Sequence, residues 1–125
     1  MRHAKKRHKL NRPKDQQKAL LRGLAEQLLI HGQIQTNMTR AKVLRSFVEK
    51  NITKAKQAIA ATEPAGRLHK IRQVAANISP RIITQILSRA EQLNDREGGY
   101  VRLLRVNKER RGDQSTMAVV QLLDS

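Results

Sequence analysis

Residues 15–36 read DQQKALLRGLAEQLLIHGQIQT, a stretch in which a helical pattern ends at a glycine and a strand pattern follows. Its apolar residues recur with the 3.6-residue period of an amphipathic helix. They are Leu20, Leu21, Leu24, Ala25, Leu28 and Leu29. Gly32 follows at the place of a left-handed C-cap, and Pro13 lies just before the helix, where proline is common. Because 33–36 alternates polar and β-branched residues, the helix over 15–31 is predicted to lead directly into a short strand.

Two further helices are predicted immediately downstream. Thr39 is the expected N-cap of a second helix that runs to about Ala61, and the TEPAG segment at 62–66 is expected to break it. A third helix is predicted from about Arg67 to Asn77. The residues expected to face inward from this third helix are Leu68, Ile71, Ala75 and Ile78.

The last part of the chain predicts a fourth helix and a hairpin. Ser79 and Pro80 suit the N-cap and first residue of a helix that reaches about Leu93. Gly98-Gly99 marks a turn, and at least one of the two is expected to take a positive φ. The aliphatic and β-branched segments 100–106 and 117–123 then predict two strands joined by a long polar loop.

These elements indicate an α+β domain in which about four helices pack on one face of a small three-stranded sheet. The strand at 33–36 is expected to pair with the hairpin, because two strands alone are marginally stable. Residues 15–125 are expected to form this single globular domain. Residues 1–14 are interpreted as a basic N-terminal arm that cannot bury a face and orders only on a partner.

The charge of the chain points to a polyanionic partner. Lys and Arg total 26 against 10 Asp and Glu, so the formal net charge is +16. Self-repulsion of that size needs a nucleic acid or an anionic membrane surface to offset it. No apolar run approaches the roughly 18 residues of a membrane-spanning helix, and residues 1–13 lack the apolar core of a secretory signal. Neither a span nor a signal peptide is therefore expected.

The scarcity of cysteine and aromatic residues excludes several kinds of functional site. Cysteine is absent, which excludes disulfides, cysteine-based zinc fingers and thiol nucleophiles. The only aromatic residues are Phe47 and Tyr100, so the chain cannot build the stacking platform that reads unpaired bases. Its contacts are therefore expected to be with phosphates and sugars of a folded nucleic acid.

Catalysis finds no support in the sequence. Phosphate-cradling glycine loops, HExxH and nucleophile elbows are missing, so no enzyme, cofactor, metal site or small-molecule substrate is expected. Four acids of the last third fall in predicted loops beside arginines and are interpreted as salt-bridge or turn residues. They are Asp95, Glu97, Glu109 and Asp113.

Three basic clusters supply the candidate nucleic-acid-binding residues. In the arm these are Arg2, His3, Lys5, Lys6, Arg7, His8, Lys9, Arg12 and Lys14. The helix-two cluster comprises Arg40, Lys42 and Arg45, on a polar face that also carries Lys50, Lys54 and Lys56 against Glu49 alone. The hairpin cluster comprises Arg96, Arg102, Arg105, Lys108, Arg110 and Arg111. One such cluster is common on solvated surfaces, but three in one small domain indicate nucleic-acid binding, and arginine matches phosphate in bidentate fashion.

Composition alone leaves RNA, DNA and a membrane surface as alternatives. A DNA-packaging protein would normally offer a groove-reading helix or minor-groove wedges on a symmetric dimer, and no apolar dimer seam is evident. A membrane-surface binder would need bulky Trp or Phe residues opposite its basic face, which are missing.

Several segments resemble the large-subunit ribosomal protein family numbered seventeen, in its bacterial and organellar form. They are MRH at 1–3, LNRP at 10–13, RGLAEQLLIHGQIQT at 22–36, RAKVLRSFVEKNITKAK at 40–56, REGGYVRL at 96–103 and RRGDQSTMAVVQLL at 110–123. They stand in the family's order. The middle, roughly 57–95, matches poorly, with Glu91, Gln92 and Leu93 where the family has a proline and then an arginine and an aromatic residue. Asn37 and Val101 also depart from the family's threonines.

The resemblance implies a structural constituent of the large ribosomal subunit. It implies binding to large-subunit rRNA on the solvent side, near the exit of the nascent-chain tunnel, with neighbouring ribosomal proteins as further partners. The expected location is the ribosome, in the bacterial cytoplasm or inside an organelle. The LNRP, ALLRGL and HG segments are similar to plastid and cyanobacterial versions.

Overall fold

The computed structural model describes residues 10–123. Within them lie four α-helices, one 3₁₀ turn and three strands. In chain order these are α1 (Lys14–His31), β1 (Gln33–Asn37), α2 (Met38–Ala60), α3 (Pro64–Asn77), the 3₁₀ turn (Pro80–Ile82), α4 (Ile83–Gln92), β2 (Val101–Arg105) and β3 (Met117–Leu122). The predicted α+β class, with four helices and three strands, is confirmed. Most of the predicted arm lies outside the described residues, and Lys14 is the first residue of α1.

The three strands form one antiparallel sheet in the order β1-β3-β2. Val120 in the central strand β3 is aligned with Ile34 of β1 on one side and Leu103 of β2 on the other. The predicted pairing of β1 with the hairpin is therefore confirmed. Alternate residues of β3 are buried beneath the helices, namely Ala118, Val120 and Leu122.

Helix α2 organises the hydrophobic core. It packs against α1, α3, α4 and all three strands. Its buried apolar stripe consists of Ala41, Leu44, Val48, Ile52 and Ala55. Leu28 of α1 and Ile86 of α4 are fully buried in the same cluster. Because full burial of such a side chain contributes roughly 1.5–3 kcal/mol, this shared core fixes the orientation of α2 relative to the sheet.

The junctions on either side of β1 contain no free linker. Gly32 takes φ 83° and its N–H donates to the Leu28 carbonyl at 2.8 Å, which confirms the predicted left-handed C-cap. The prediction of Thr39 as N-cap of α2 is wrong. Asn37, the last residue of β1, is the cap, and its side chain accepts the Arg40 N–H at 2.8 Å. Strand turns directly into helix, so the cap falls two residues earlier than a separate connection would place it.

Helices α3 and α4 begin differently from the prediction. Helix α3 starts at Pro64, within the segment predicted to separate the helices, because the first helical position needs no N–H donor. Leu68 is 47% exposed, and Val74 with Ile78 forms the buried contact of this segment. Ser79 accepts the Arg81 N–H at 3.4 Å as predicted for a cap, but it caps the 3₁₀ turn that precedes α4.

The hairpin is entered through a glycine turn. Gly99 has φ 63°, which confirms the positive φ expected for this pair, and the next residue, Tyr100, is only 2% exposed. Both hairpin strands are slightly shorter than predicted. Among the helices described, none combines the length and apolar character needed to cross a membrane.

Candidate nucleic-acid interface

A cleft of about 490 Å³ lies where the start of α2 meets the far end of the hairpin. It is called here the α2–hairpin cleft and is lined by Asn37, Met38, Thr39, Lys42, Arg105, Ser115 and Thr116. The Met38 N–H donates to the Thr116 carbonyl at 2.9 Å, which fixes the two elements against each other. The fold thus brings Lys42 of the helix-two cluster to the same cleft as Arg105 of the hairpin cluster, which lies 63 positions later in the chain.

The α2–hairpin cleft is a positively charged site with several hydrogen-bond donors. The N-terminal end of a 23-residue helix carries a partial positive charge from its aligned peptide dipoles. Lys42 and Arg105 add full charges, and the hydroxyls of Thr39, Ser115 and Thr116 can donate hydrogen bonds. No Asp or Glu is among the lining residues. This combination can hold phosphate oxygens through charge-assisted hydrogen bonds.

The rest of the helix-two cluster is only partly on the surface. Arg45 is exposed, and Arg40 is half-buried in the first turn of α2. Lys56, which the sequence places on the polar face of this helix, is half-buried against the hairpin. Its Nζ donates to the Arg96 carbonyl and, at 3.0 Å, to the Tyr100 hydroxyl, and it lies 4.9 Å from the centre of the Tyr100 ring.

The acid on the same helix also holds the hairpin. Glu49 Oε1 accepts the Val101 N–H at 3.4 Å. Together with Lys56 it attaches α2 to the start of β2. Two charged side chains of the predicted polar face of α2 are therefore positioning residues for the hairpin.

The alternation of β2 divides the hairpin cluster between two sides of the sheet. Arg105 is aligned with buried Ala118 and lines the cleft, whereas Arg102 is exposed and aligned with Gln121 on the face away from the helices. Arg96 precedes the strand and is half-buried, and its Nε has no hydrogen-bond partner among the described residues. The structure therefore brings only Arg105, of these three, to the cleft.

The loop between β2 and β3 is ordered by one ion pair. Both Arg110 and Ser115 hydrogen-bond the Asp113 carboxylate: Arg110 Nε donates at 3.0 Å, its Nη2 also donates, and the Ser115 N–H donates at 3.2 Å. These hydrogen bonds, led by that from Arg110, hold the pKa of Asp113 well below its usual range, and the same pair raises the pKa of Arg110. The interpretation of Asp113 as a salt-bridge residue is confirmed. Lys108 and Arg111 are exposed on the same loop.

The predicted residues of the arm are only partly described. Arg2, His3, Lys5, Lys6, Arg7, His8 and Lys9 lie outside the described residues. Arg12 is exposed before α1, and Lys14 is exposed in its first turn. Across residues 10–123, no group of three or more potential metal-ligating side chains comes together.

Sequence reasoning missed two polar residues of the cleft and, on α1, a row of exposed cations. Ser115 and Thr116 lie in a predicted loop and carry no charge to draw attention to them. Lys18 and Arg22 repeat the four-residue spacing of Lys14 along α1, a signal that could have been read directly from the sequence.

Comparison with known proteins agrees with these features. The family model described as Ribosomal protein L17 matches residues 20–123. "Large ribosomal subunit protein bL17" of Thermotoga maritima is 40% identical over 127 aligned positions, covering 100% of this chain and 96% of that protein. The protein of the same name from Persephonella marina is 37% identical, covering 99% and 96%. That from Opitutus terrae is also 37% identical, covering 98% of this chain and 73% of the relative.

Proposed function

This chain belongs to the ribosomal protein L17 family, and we propose that it holds large-subunit rRNA through basic surfaces that contact phosphates. As a member of that family it is a structural constituent of the large ribosomal subunit and not an enzyme. Ribosomal RNA and neighbouring ribosomal proteins are its partners in this proposal.

The α2–hairpin cleft is the observation that carries the proposal. It places Lys42, Arg105 and the positive end of α2 around one concave surface, with hydroxyl donors and no carboxylate in its lining. The attachment of the hairpin to α2 by Lys56 and Glu49 keeps this arrangement stiff. A preorganised set of donors loses little conformational entropy when it binds a phosphate. The cleft is therefore a better phosphate site than a flexible lysine-rich tail.

The basic arm extends the binding surface in the proposal. Its cations neutralise phosphates of RNA segments that would otherwise repel each other, so that they pack closely around the protein. The family resemblance of the sequence supports a position on the solvent side of the subunit, near the tunnel exit. The relatives named above come from bacteria, which supports the ribosome of a bacterial cytoplasm as the location.

Co-sedimentation with bacterial large subunits tests the proposal. The chain is expected to remain with the large subunit through moderate salt washing. The variant Lys42→Gln/Arg105→Gln should be washed off at lower salt, because two charge-assisted contacts are lost. Arg67→Gln/Arg72→Gln removes the same charge from two exposed positions of α3 and is the matched control. Equal retention of both variants would contradict the role of the cleft, and failure of the unaltered chain to sediment would contradict the proposed function.

A further inference from the structure

Helix α1 carries a row of cations away from the α2–hairpin cleft. Lys14, Lys18 and Arg22 are exposed and follow one another at four-residue intervals. Each interval advances about 6 Å along a helix, and residues at this spacing lie on the same side. The row begins where the basic sequence of the arm ends.

The row continues onto a second element through an ion pair between Glu26 and Arg81. Glu26, four residues after Arg22, has a side chain that is only 13% exposed, and it forms a 3.0 Å salt bridge with Arg81. The side chain of Arg81 is 78% exposed, so one edge of its guanidinium is held while the rest faces outward. Glu26 is thereby neutralised by an arginine that remains available to a further anion.

Arg22 is also held in place. Its Nη2 donates to the Ala76 carbonyl at 2.8 Å, one of the last carbonyls of α3. Arg22 and Arg81 therefore both lie at the seam between α1 and the connection from α3 to α4. Asp15, the other acid beside the row, is exposed in the first turn of α1, where a negative charge suits the helix dipole.

We propose that the α1 stripe, defined as Lys14, Lys18, Arg22 and Arg81, is a second RNA-binding surface that contacts the phosphates of a different RNA segment from the one at the cleft. The inference rests on the proposed function and deepens it. No lining residue of the cleft comes from α1 or from the α3–α4 connection. The two surfaces are thus built on different elements of one domain.

The chemistry of the α1 stripe favours RNA over a protein partner. Lysine is depleted at protein interfaces, and the aromatic anchors common there are missing from the stripe, which consists of two lysines and two arginines. Evenly spaced cations, two of them with guanidinium groups fixed by the fold, match a line of phosphates. A domain with two such surfaces joins two RNA segments that would otherwise repel each other.

Hydroxyl-radical footprinting of the full chain on transcribed bacterial large-subunit rRNA tests this inference. The variant Lys14→Gln/Lys18→Gln/Arg81→Gln keeps Arg22, because that side chain donates a hydrogen bond to the C-terminal end of α3. It is expected to lose protection of one RNA segment while the protection that depends on Lys42 and Arg105 persists. The slope of log affinity against log salt should fall in magnitude by about 2–3, since each phosphate contact contributes roughly 0.7–0.9.

The control removes the same charge elsewhere. Arg67→Gln/Lys70→Gln/Arg72→Gln alters α3 and should retain every protected segment of the unaltered chain, with circular dichroism as the folding check for both variants. If the triple α1 variant does not fold, Lys18→Glu alone should weaken protection of the same segment. The proposal of an RNA-binding α1 stripe would be overturned if the folded α1 variant protected every RNA segment. It would also be overturned if the control lost protection of the same segment. In either case loss of a segment by Lys42→Gln/Arg105→Gln would leave the proposed function standing.

Discussion

At the scale of single residues, Gly32 shows how backbone conformation decides the effect of a methyl group. Its φ of 83° is strained for an L residue, although an added Cβ would make only an ordinary 3.6 Å contact with Arg89. Gly32→Ala should therefore lower the free energy of unfolding by about 1 kcal/mol. Gly23 lies within α1 with open space around it, so Gly23→Ala should raise that free energy by about 0.5–1 kcal/mol. Urea denaturation of both variants checks the prediction, and changes of the same sign would contradict it.

The Asp113 carboxylate gives a second prediction at this scale, on pH. Its pKa is lowered in the folded chain, chiefly by the hydrogen bond from Arg110. A group with a lowered folded pKa stabilises the structure above its unfolded pKa, and this contribution disappears as the pH falls through the folded value. The loop should therefore stay ordered through mildly acidic pH. The amide signal of Ser115, followed by NMR, should titrate well below the ordinary aspartate pKa of about 3.9, and a midpoint near that value would contradict the prediction.

At the scale of elements, Lys56 is expected to stabilise the packing of α2 against the hairpin. Lys56→Met keeps most of the apolar stem but removes the donor to the Arg96 carbonyl and the Tyr100 hydroxyl. Because hydrogen bonds to charged groups contribute more than neutral ones, the variant should lose about 1–2 kcal/mol of unfolding free energy. Lys50→Met, at an exposed position of α2, should change it by less than about 0.5 kcal/mol. Equal losses in urea denaturation would show that Lys56 is an ordinary surface lysine.

The alternation of β2 predicts that its two arginines contribute unequally to RNA binding. Arg105 lines the α2–hairpin cleft, whereas Arg102 lies on the opposite face of the sheet. Arg105→Gln should weaken binding to large-subunit rRNA about tenfold, the value of one charge-assisted contact. Arg102→Gln should weaken it considerably less. A filter-binding measurement in which Arg102→Gln has the larger effect would place the RNA on the outer face instead.

The elements themselves were largely predictable from sequence, because their signals are local. The periodicity before Gly32 and the glycine itself gave α1 and its end. The errors occur where a neighbouring element changes the meaning of a local signal. Asn37 is the N-cap of α2 because β1 ends where α2 begins. Pro64 is the first residue of α3, whereas the TEPAG segment predicts a start after Gly66. Leu68 lies in a helical pattern of apolar residues that predicts burial, but α3 faces the core with Val74 instead.

The site was less predictable, because it depends on contacts between residues that are far apart in the chain. Composition identified the basic clusters but not which cations meet. Lys42 and Arg105 line the same cleft because β1 pairs with β3, which brings the end of the hairpin to the start of α2. Lys56 is turned inward by Tyr100, and no local spacing distinguishes it from the exposed lysines of the same helix.

At the scale of the whole molecule, the charge distribution is the central feature. The +16 net charge comes from cations along the whole chain, among them those of the arm, the α2–hairpin cleft, the loop between β2 and β3 and the α1 stripe, while the core beneath α2 is apolar. In the proposed function, the apolar core keeps the chain compact, and most of the RNA affinity is expected to come from counterions released when phosphates are neutralised. Affinity should therefore respond to salt far more strongly than folding does.

The dependence of rRNA affinity on salt concentration tests this claim most directly. If about ten phosphates are neutralised, the affinity of the full chain for bacterial large-subunit rRNA should fall by about three to five decades between roughly 50 and 200 mM salt. Circular dichroism over the same range should show an unchanged fold. A nearly flat affinity across that range would contradict the account, because contacts other than those between cations and phosphates would then hold the RNA.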